Sequence, residues 1–200
     1  DTSTEPSPTY NYPETGKYRV DLSVISASGC RSSAFAFFDV EPIPEVRFLI
    51  DPACEAQAVR FTNLTGQSIA ELSYTWDFGD GNTATDFEPV NTYSQTGDYA
   101  VSLTVTSAFG CSESVTDSVT VFPLPAVAFD FDNVCDGFPM QFTNQTTLSA
   151  GVISEYLWDF GDFTNSILLN PEKGYLNSGN YDVTLSALSD RGCTSVLTQT

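Results

Sequence analysis

The chain repeats itself about every 81 residues, and a repeat of that length restricts it to a row of similar small modules. Gly-Cys occurs at Gly29-Cys30, Gly110-Cys111 and Gly192-Cys193, at steps of 81 and 82. A Gly-x-Tyr-x-Val-x-Leu run recurs with the same steps, from Gly16 to Leu22, Gly97 to Leu103 and Gly179 to Leu185. Pro8, Pro89 and Pro171 keep that register, as do Tyr12, Tyr93 and Tyr175. Cys54 and Cys135, and Phe61 and Phe142, are 81 apart, whereas Trp76 and Trp158 are 82 apart. The one extra residue therefore falls between Phe142 and Trp158, where a loop tolerates it. Residue 1 aligns with Asn82. The expected organisation is the back half of a module over 1–44, a complete module over 45–125 and a nearly complete one over 126–200, a slice of a longer array.

Each repeat reads as a β-sandwich. In the second, 46–50 and 59–62 alternate as strands, and 72–78 sets Tyr74, Trp76 and Phe78 on one face at period two. Asp77-Phe78-Gly79-Asp80-Gly81 is turn chemistry. A short fourth strand follows at 83–87, a fifth at 90–93, the clearest at 99–106 and a last at 114–122. Pro123-Leu124-Pro125 is a stiff linker, as is Glu41-Pro42-Ile43-Pro44 one repeat earlier. Seven strands in ~80 residues is a sandwich count, and no window has helical periodicity. Inward phase predicts a core of Phe61, Trp76, Tyr99, Val101 and Leu103, with Trp158 and Tyr181 equivalent in the third repeat. The Phe35-Ala36-Phe37-Phe38 run is read as core, with an exposed contact patch as the alternative.

Composition narrows the function classes. Acids number 26 against 7 bases, a net charge of −19. Such a chain repels nucleic acid and anionic membrane surfaces. No apolar run reaches the ~18 residues of a membrane span, so direct membrane insertion is not expected. There is no His, which removes Ser–His and Cys–His nucleophile pairs and His-ligated zinc. The recurring carboxylate pairs, Asp77 with Asp80 and Asp159 with Asp162, flank a Gly turn, where Asp accepts backbone N–H bonds. That structural reading is favoured over acid–base catalysis. Calcium held by those four residues is the middle option, although the spacing lacks an EF-hand loop. No other cofactor is expected. Asn63-Leu64-Thr65 and Asn144-Gln145-Thr146 are N-glycosylation sequons, for which shaping of a strand end is the favoured reading. Ser118, in Asp117-Ser118-Val119, sits in a short O-glycosylation pattern.

The string Tyr74-Thr75-Trp76-Asp77-Phe78-Gly79-Asp80-Gly81, followed by Pro89, Tyr93, Gly97 and Tyr99 through Thr106, resembles the polycystic kidney disease (PKD) domain. The likeness covers nearly the whole chain and departs at Phe163, where the pattern has Gly. It implies tandem immunoglobulin-like sandwiches in a linear array, used as an extracellular spacer or binding module. The Cys and Gly-Cys style, with Phe-Thr-Asn-x-Thr, is similar to arrays on surface and gliding adhesins of Bacteroidota. The expectation is a non-catalytic, exported, cell-surface stalk or filament segment. Its partners would be neighbouring modules of the same chain, surface polysaccharide or other cell-surface proteins. The alternatives are an accessory region of a secreted peptidase or polysaccharide hydrolase, and a polysaccharide-binding module.

Export puts the five cysteines in an oxidising setting. Two pairings compete. Pairing within modules joins Cys54 to Cys111 and Cys135 to Cys193, leaving Cys30. With an immunoglobulin-like strand order, however, Cys54 lies in the connection after the first strand and Cys111 in the last hairpin, at opposite ends of one module. A strand of about eight residues separates those ends by roughly 26 Å, while a disulfide spans only about 7 Å between Cα atoms. The far end of one module abuts the near end of the next, which favours Cys54–Cys193. Cys30, Cys111 and Cys135 would then pair outside this chain or stay free.

Overall fold

The computed structural model describes residues 1–66, 71–132, 134–135 and 137–200, and among them every regular element is a β-strand. The first module contributes β1 (Gly16–Ile25) and β2 (Arg31–Val40), an antiparallel hairpin that forms a sheet by itself. Alternation in this hairpin puts Val20, Leu22 and Val24 on one face and Phe35 and Phe37 on the other. With no second sheet against either face, all five are exposed.

The second module is a sandwich of eight strands: β3 (Phe48–Ile50), β4 (Ala53–Cys54), β5 (Ala58–Asn63), β6 (Leu72–Asp77), β7 (Thr83–Ala84), β8 (Val90–Thr92), β9 (Gly97–Ser107) and β10 (Ser112–Phe122). One sheet runs β3-β5-β8 and the other β4-β10-β9-β6-β7. Two features differ from the sequence reading. The connection after the first strand contains β4, which crosses to the opposite sheet and pairs parallel with the end of β10, Ala53 against Val121 and Cys54 against Phe122. Pro52 sits at that crossing and cannot donate to a ladder. The short strand at 83–84 pairs with β6, so it extends the five-stranded sheet and leaves β8 as the edge of the other.

The third module repeats the plan with β11 (Phe129–Phe131), β12 (Met140–Asn144) and β15 (Glu172–Lys173) in one sheet. The other holds β14 (Asn165–Ser166), β13 (Ile153–Asp159), β16 (Val183–Ser189) and β17 (Thr194–Gln199). Residues 134–135 form no strand here.

Both cores are built around a tryptophan. Trp76 is fully buried with Phe48, Phe61 and Phe78 against it, at ring separations of 5.1, 5.7 and 6.4 Å. Trp158 repeats this with Phe129, Phe142 and Phe160. Each indole N–H donates to a backbone carbonyl ten residues on, Asp86 at 3.0 Å and Leu168 at 2.9 Å, so the one polar atom of the ring enters the core satisfied. Phe61, Val101 and Leu103 are buried as their phase predicts, and Val105, Val119, Val121 and Tyr93 join them. Tyr99 is the correction: it is only half-buried, because its hydroxyl reaches out to the Gln95 carbonyl.

Candidate functional site: the signature turns and the joint between modules

Gly79 has φ +76°, and a Cβ there would lie 2.5 Å from the Ala100 carbonyl oxygen. Gly161 has φ +73°, with the Asp182 oxygen at 2.7 Å. Only a residue without Cβ permits so close an approach to β9 and to the chain entering β16. The carboxylates around these glycines are taken up by local donors. Asp77 accepts the Gly79 N–H at 2.9 Å, and Asp80 accepts the Asn82 N–H, the Asn82 amide and the Asn91 amide at 2.8–3.0 Å. Burial pushes the Asp80 carboxyl up, but bonds from Asn91 and Asn82 outweigh it and leave the pKa below the ordinary aspartate value.

In the third module Asp159 accepts the Gly161 N–H at 3.0 Å, and Lys173 stands where the second has Asn91. Its ammonium sits 2.5 Å from the Asp162 carboxylate, with both side chains largely buried. The same ammonium lies over the rings of Phe160 and Tyr175 at 5.6 and 5.3 Å. Burial raises the Asp162 pKa, and Lys173 and Thr164 more than reverse that. Nothing in the motif spacing points to Lys173, because only the fold brings it beside Asp162. Among the described residues no three His, Cys, Asp or Glu side chains gather as a metal-ligand group. Both oxygens of Asp80 and of Asp162, and one each of Asp77 and Asp159, already accept local donors. Phe163, in the Gly81 position, keeps the left-handed turn at φ +67° with its ring in solvent.

A tyrosine closes each turn region. Tyr93 donates to the Phe78 carbonyl and Tyr175 to that of Phe160, both at 3.1 Å. Desolvation pushes each phenol up to about 12.

The sequon side chains face inward. Asn63 accepts the Thr65 N–H at 2.9 Å and Asn144 accepts that of Thr146 at 2.8 Å, each shaping the chain just past its strand. The amide nitrogens of both, the atoms that would carry an N-glycan, are buried without an acceptor among the described residues. Ser118 lies exposed in the middle of β10, its N–H on Asp117.

Phe35 and Phe37 correct the core reading of that run. Their counterparts in β10 are Thr116 and Ser118, on the outward face of the five-stranded sheet. The core-side alternation passes through Phe38. The two exposed rings meet edge to face at 5.8 Å, with the Arg19 guanidinium over Phe35 at 4.3 Å. A cavity of about 370 Å³ opens in the third module beside Val134, Met140, Phe142, Tyr181 and Val183. By repeat, Val119 and Val121 pack into the corresponding space of the second module.

At the joint, Cys54 is bonded to Cys193 with their Cα atoms 5.7 Å apart. Cys54 ends β4 opposite Phe122, whereas Cys111 precedes Ser112 at the other end of β10. Eleven residues of strand hold those two roughly 35 Å apart, which rules out a bond within the module. Further contacts knit the junction. Gln57 donates to the Thr194 carbonyl at 3.3 Å, Glu55 accepts the linker Leu124 N–H at 3.2 Å, and Arg191 lies 5.3 Å from the Phe122 ring centroid. Cys30, Cys111 and Cys135 carry free thiols in this chain. All three Gly-Cys hairpins share one turn, in which the Cys carbonyl accepts the N–H of Ser26, Ser107 or Ser189 at 2.9 Å.

The family described as PKD domain matches residues 39–122 and 123–200. The chain belongs to the PKD domain family. Its PKD modules are 27% identical over 148 residues to the pre-pro-metalloprotease PrtV of Vibrio cholerae serotype O1, covering 72% of this chain and 16% of that protein. They are 42% identical over 53 residues to a microbial collagenase of Vibrio alginolyticus, covering 26% of this chain and 6% of the collagenase. The chain thus spans a small part of these relatives' length. Among solved structures, the PKD1 domain of Vibrio anguillarum Epp is 31% identical, covering 41% of this chain and 96% of that domain, with a TM-score of 0.38. The PKD1 domain of V. cholerae PrtV is 34% identical, covering 40% and 98%, with a TM-score of 0.36. No helix among the described residues is long and apolar enough to cross a membrane.

Proposed function

We propose that this chain is a non-catalytic spacer segment of a large, exported cell-surface adhesin or filament, in which successive PKD modules are stapled end to end. The observation that carries this reading is the disulfide between modules, Cys54–Cys193. A disulfide is expected of an oxidising, exported setting, and one that crosses a joint fixes the angle between modules as a stalk requires. The acidic surface keeps a long polymer soluble. Cys111 and Cys135 occupy the repeat positions of Cys193 and Cys54, so each is placed to make the same staple with a cysteine of another module. The exposed Phe35 and Phe37 and the exposed Ser118 are where contact with a surface polysaccharide or protein, and an O-glycan, are proposed.

A second reading has its own support. The relatives named above are a metalloprotease and a collagenase, which favours an accessory PKD region of a secreted peptidase. Polypeptide mass separates the two. An antibody raised against residues 1–200 should detect, on a reduced gel of the exported fraction, a species of many hundreds of kilodaltons. A band below about 150 kDa, the size of a catalytic unit plus a few modules, would give the accessory reading.

A further inference from the structure

We infer that the Cys54–Cys193 bond makes these two modules a tension member in which residues 55–192, both tryptophans among them, lie off the covalent load path. The inference rests on the spacer reading and concerns how the spacer bears a pull along its length.

A load entering before Glu45 and leaving after Thr200 has two covalent routes between Cys54 and Cys193. One is the peptide chain, 139 residue steps that pass through the strands around both tryptophans. The other is the disulfide, which joins Cα atoms 5.7 Å apart. The short route tightens first, and residues 55–192 then hang from it without carrying force. What remains on the path has little slack. Upstream, the chain runs through β3 and β4 to the bond, and downstream it leaves Cys193 along β17, a single strand. A β-strand already rises about 3.3 Å per residue of the roughly 3.6 Å that a chain can reach. Pulling on the ends of such strands therefore yields almost no length.

Without the bond, the pull enters the second module at β3 and leaves it from β10, so opening the module means tearing β4 from β10 and then unravelling the Trp76 core. The bond itself is sheltered. Cys193 is fully buried and Cys54 is 6% exposed, which limits access of an attacking thiolate. The contacts of Gln57, Glu55 and Arg191 hold the two ends in register around it.

Single-molecule pulling of the full 200-residue chain through tags at its two termini tests this. The disulfide-bonded chain should stop at the contour of residues 1–54 and 193–200, roughly 210 Å fully extended. The same chain carrying Cys54→Ala and Cys193→Ala should reach about 480 Å further. A variant that failed to fold would end at the same final length, so the comparison holds either way. Extension of the wild-type chain, purified without reductant, through that additional length would overturn the inference. Loss of the spacer reading would show separately, as turnover or ligand binding by the purified chain, and would leave the two contour lengths unchanged.

Discussion

Gly79 and Gly81 sit two residues apart with similar backbone angles, yet their surroundings make them respond differently to the same substitution. A Cβ at Gly79 meets the Ala100 carbonyl at 2.5 Å, whereas one at Gly81 meets nothing within 4 Å. Gly81→Ala therefore loses only the left-handed preference, about 1–2 kcal/mol. Gly79→Ala adds a backbone clash, for roughly 2–5 kcal/mol in all. Chemical denaturation of the two variants should rank them in that order. Phe163 supplies the converse case, a φ of +67° on a fully exposed ring. Phe163→Gly should raise stability by roughly 0.5–1 kcal/mol, strain relieved less the entropy of a freer unfolded chain. Titration sets two limits on stability. Tyr93 and Tyr175 are held neutral up to about 12 in the fold, against about 10 unfolded. Their contribution is complete below pH 10 and lost as pH rises through 12. Asp80 and Asp162 are depressed, so their contribution is complete above the ordinary aspartate range and lost as pH falls through their lowered values. Melting temperature against pH should fall at both ends, and Tyr93→Phe should flatten the alkaline limb. A wild-type limb that stays level between pH 10 and 12 would contradict this account.

Strands were legible in the sequence where period two ran for five residues or more, as from Tyr99 to Thr106 and from Leu72 to Phe78. β4 was not legible, because two residues cannot show a period, and its existence depends on the end of β10 lying beside it. The short strand after the signature turn was legible as a strand but not as a member of a sheet. Its pairing with β6 follows from the tight turn at Gly79 and Gly81, a long-range consequence of two glycines. The Phe35–Phe38 run is core-like in hydrophobicity but not in phase. Counterparts in β10 put Phe35 and Phe37 outward and Phe38 inward. Replacing both outward rings, Phe35→Ser with Phe37→Ser, should leave the thermal unfolding of the two tryptophan cores unchanged. The same change should reduce binding of a hydrophobic dye, since large exposed apolar patches are contact surfaces. A drop of several degrees in the melting temperature would place those rings in a core instead.

For the whole molecule, the repeat was the most informative feature, because three copies of one pattern fix module length, linker position and the equivalence of cysteines. It could not reveal Lys173 as the partner of Asp162, which needs the fold to bring β15 beside the signature turn. Nor does the repeat by itself choose between cysteine pairings, since both conserve register. The choice comes from strand direction, with Cys54 and Cys111 at opposite ends of β10 and Cys54 beside the next module's hairpin. The spacer proposal thus stands on connectivity, two PKD modules joined covalently across their boundary by Cys54 and Cys193. Mass spectrometric peptide mapping of the native protein, digested without reduction, is the sharpest check of that connectivity. A cross-linked pair carrying Cys54 and Cys193 is the expected result. A Cys54–Cys111 or Cys135–Cys193 pair, or Cys54 recovered as a free thiol, would contradict it.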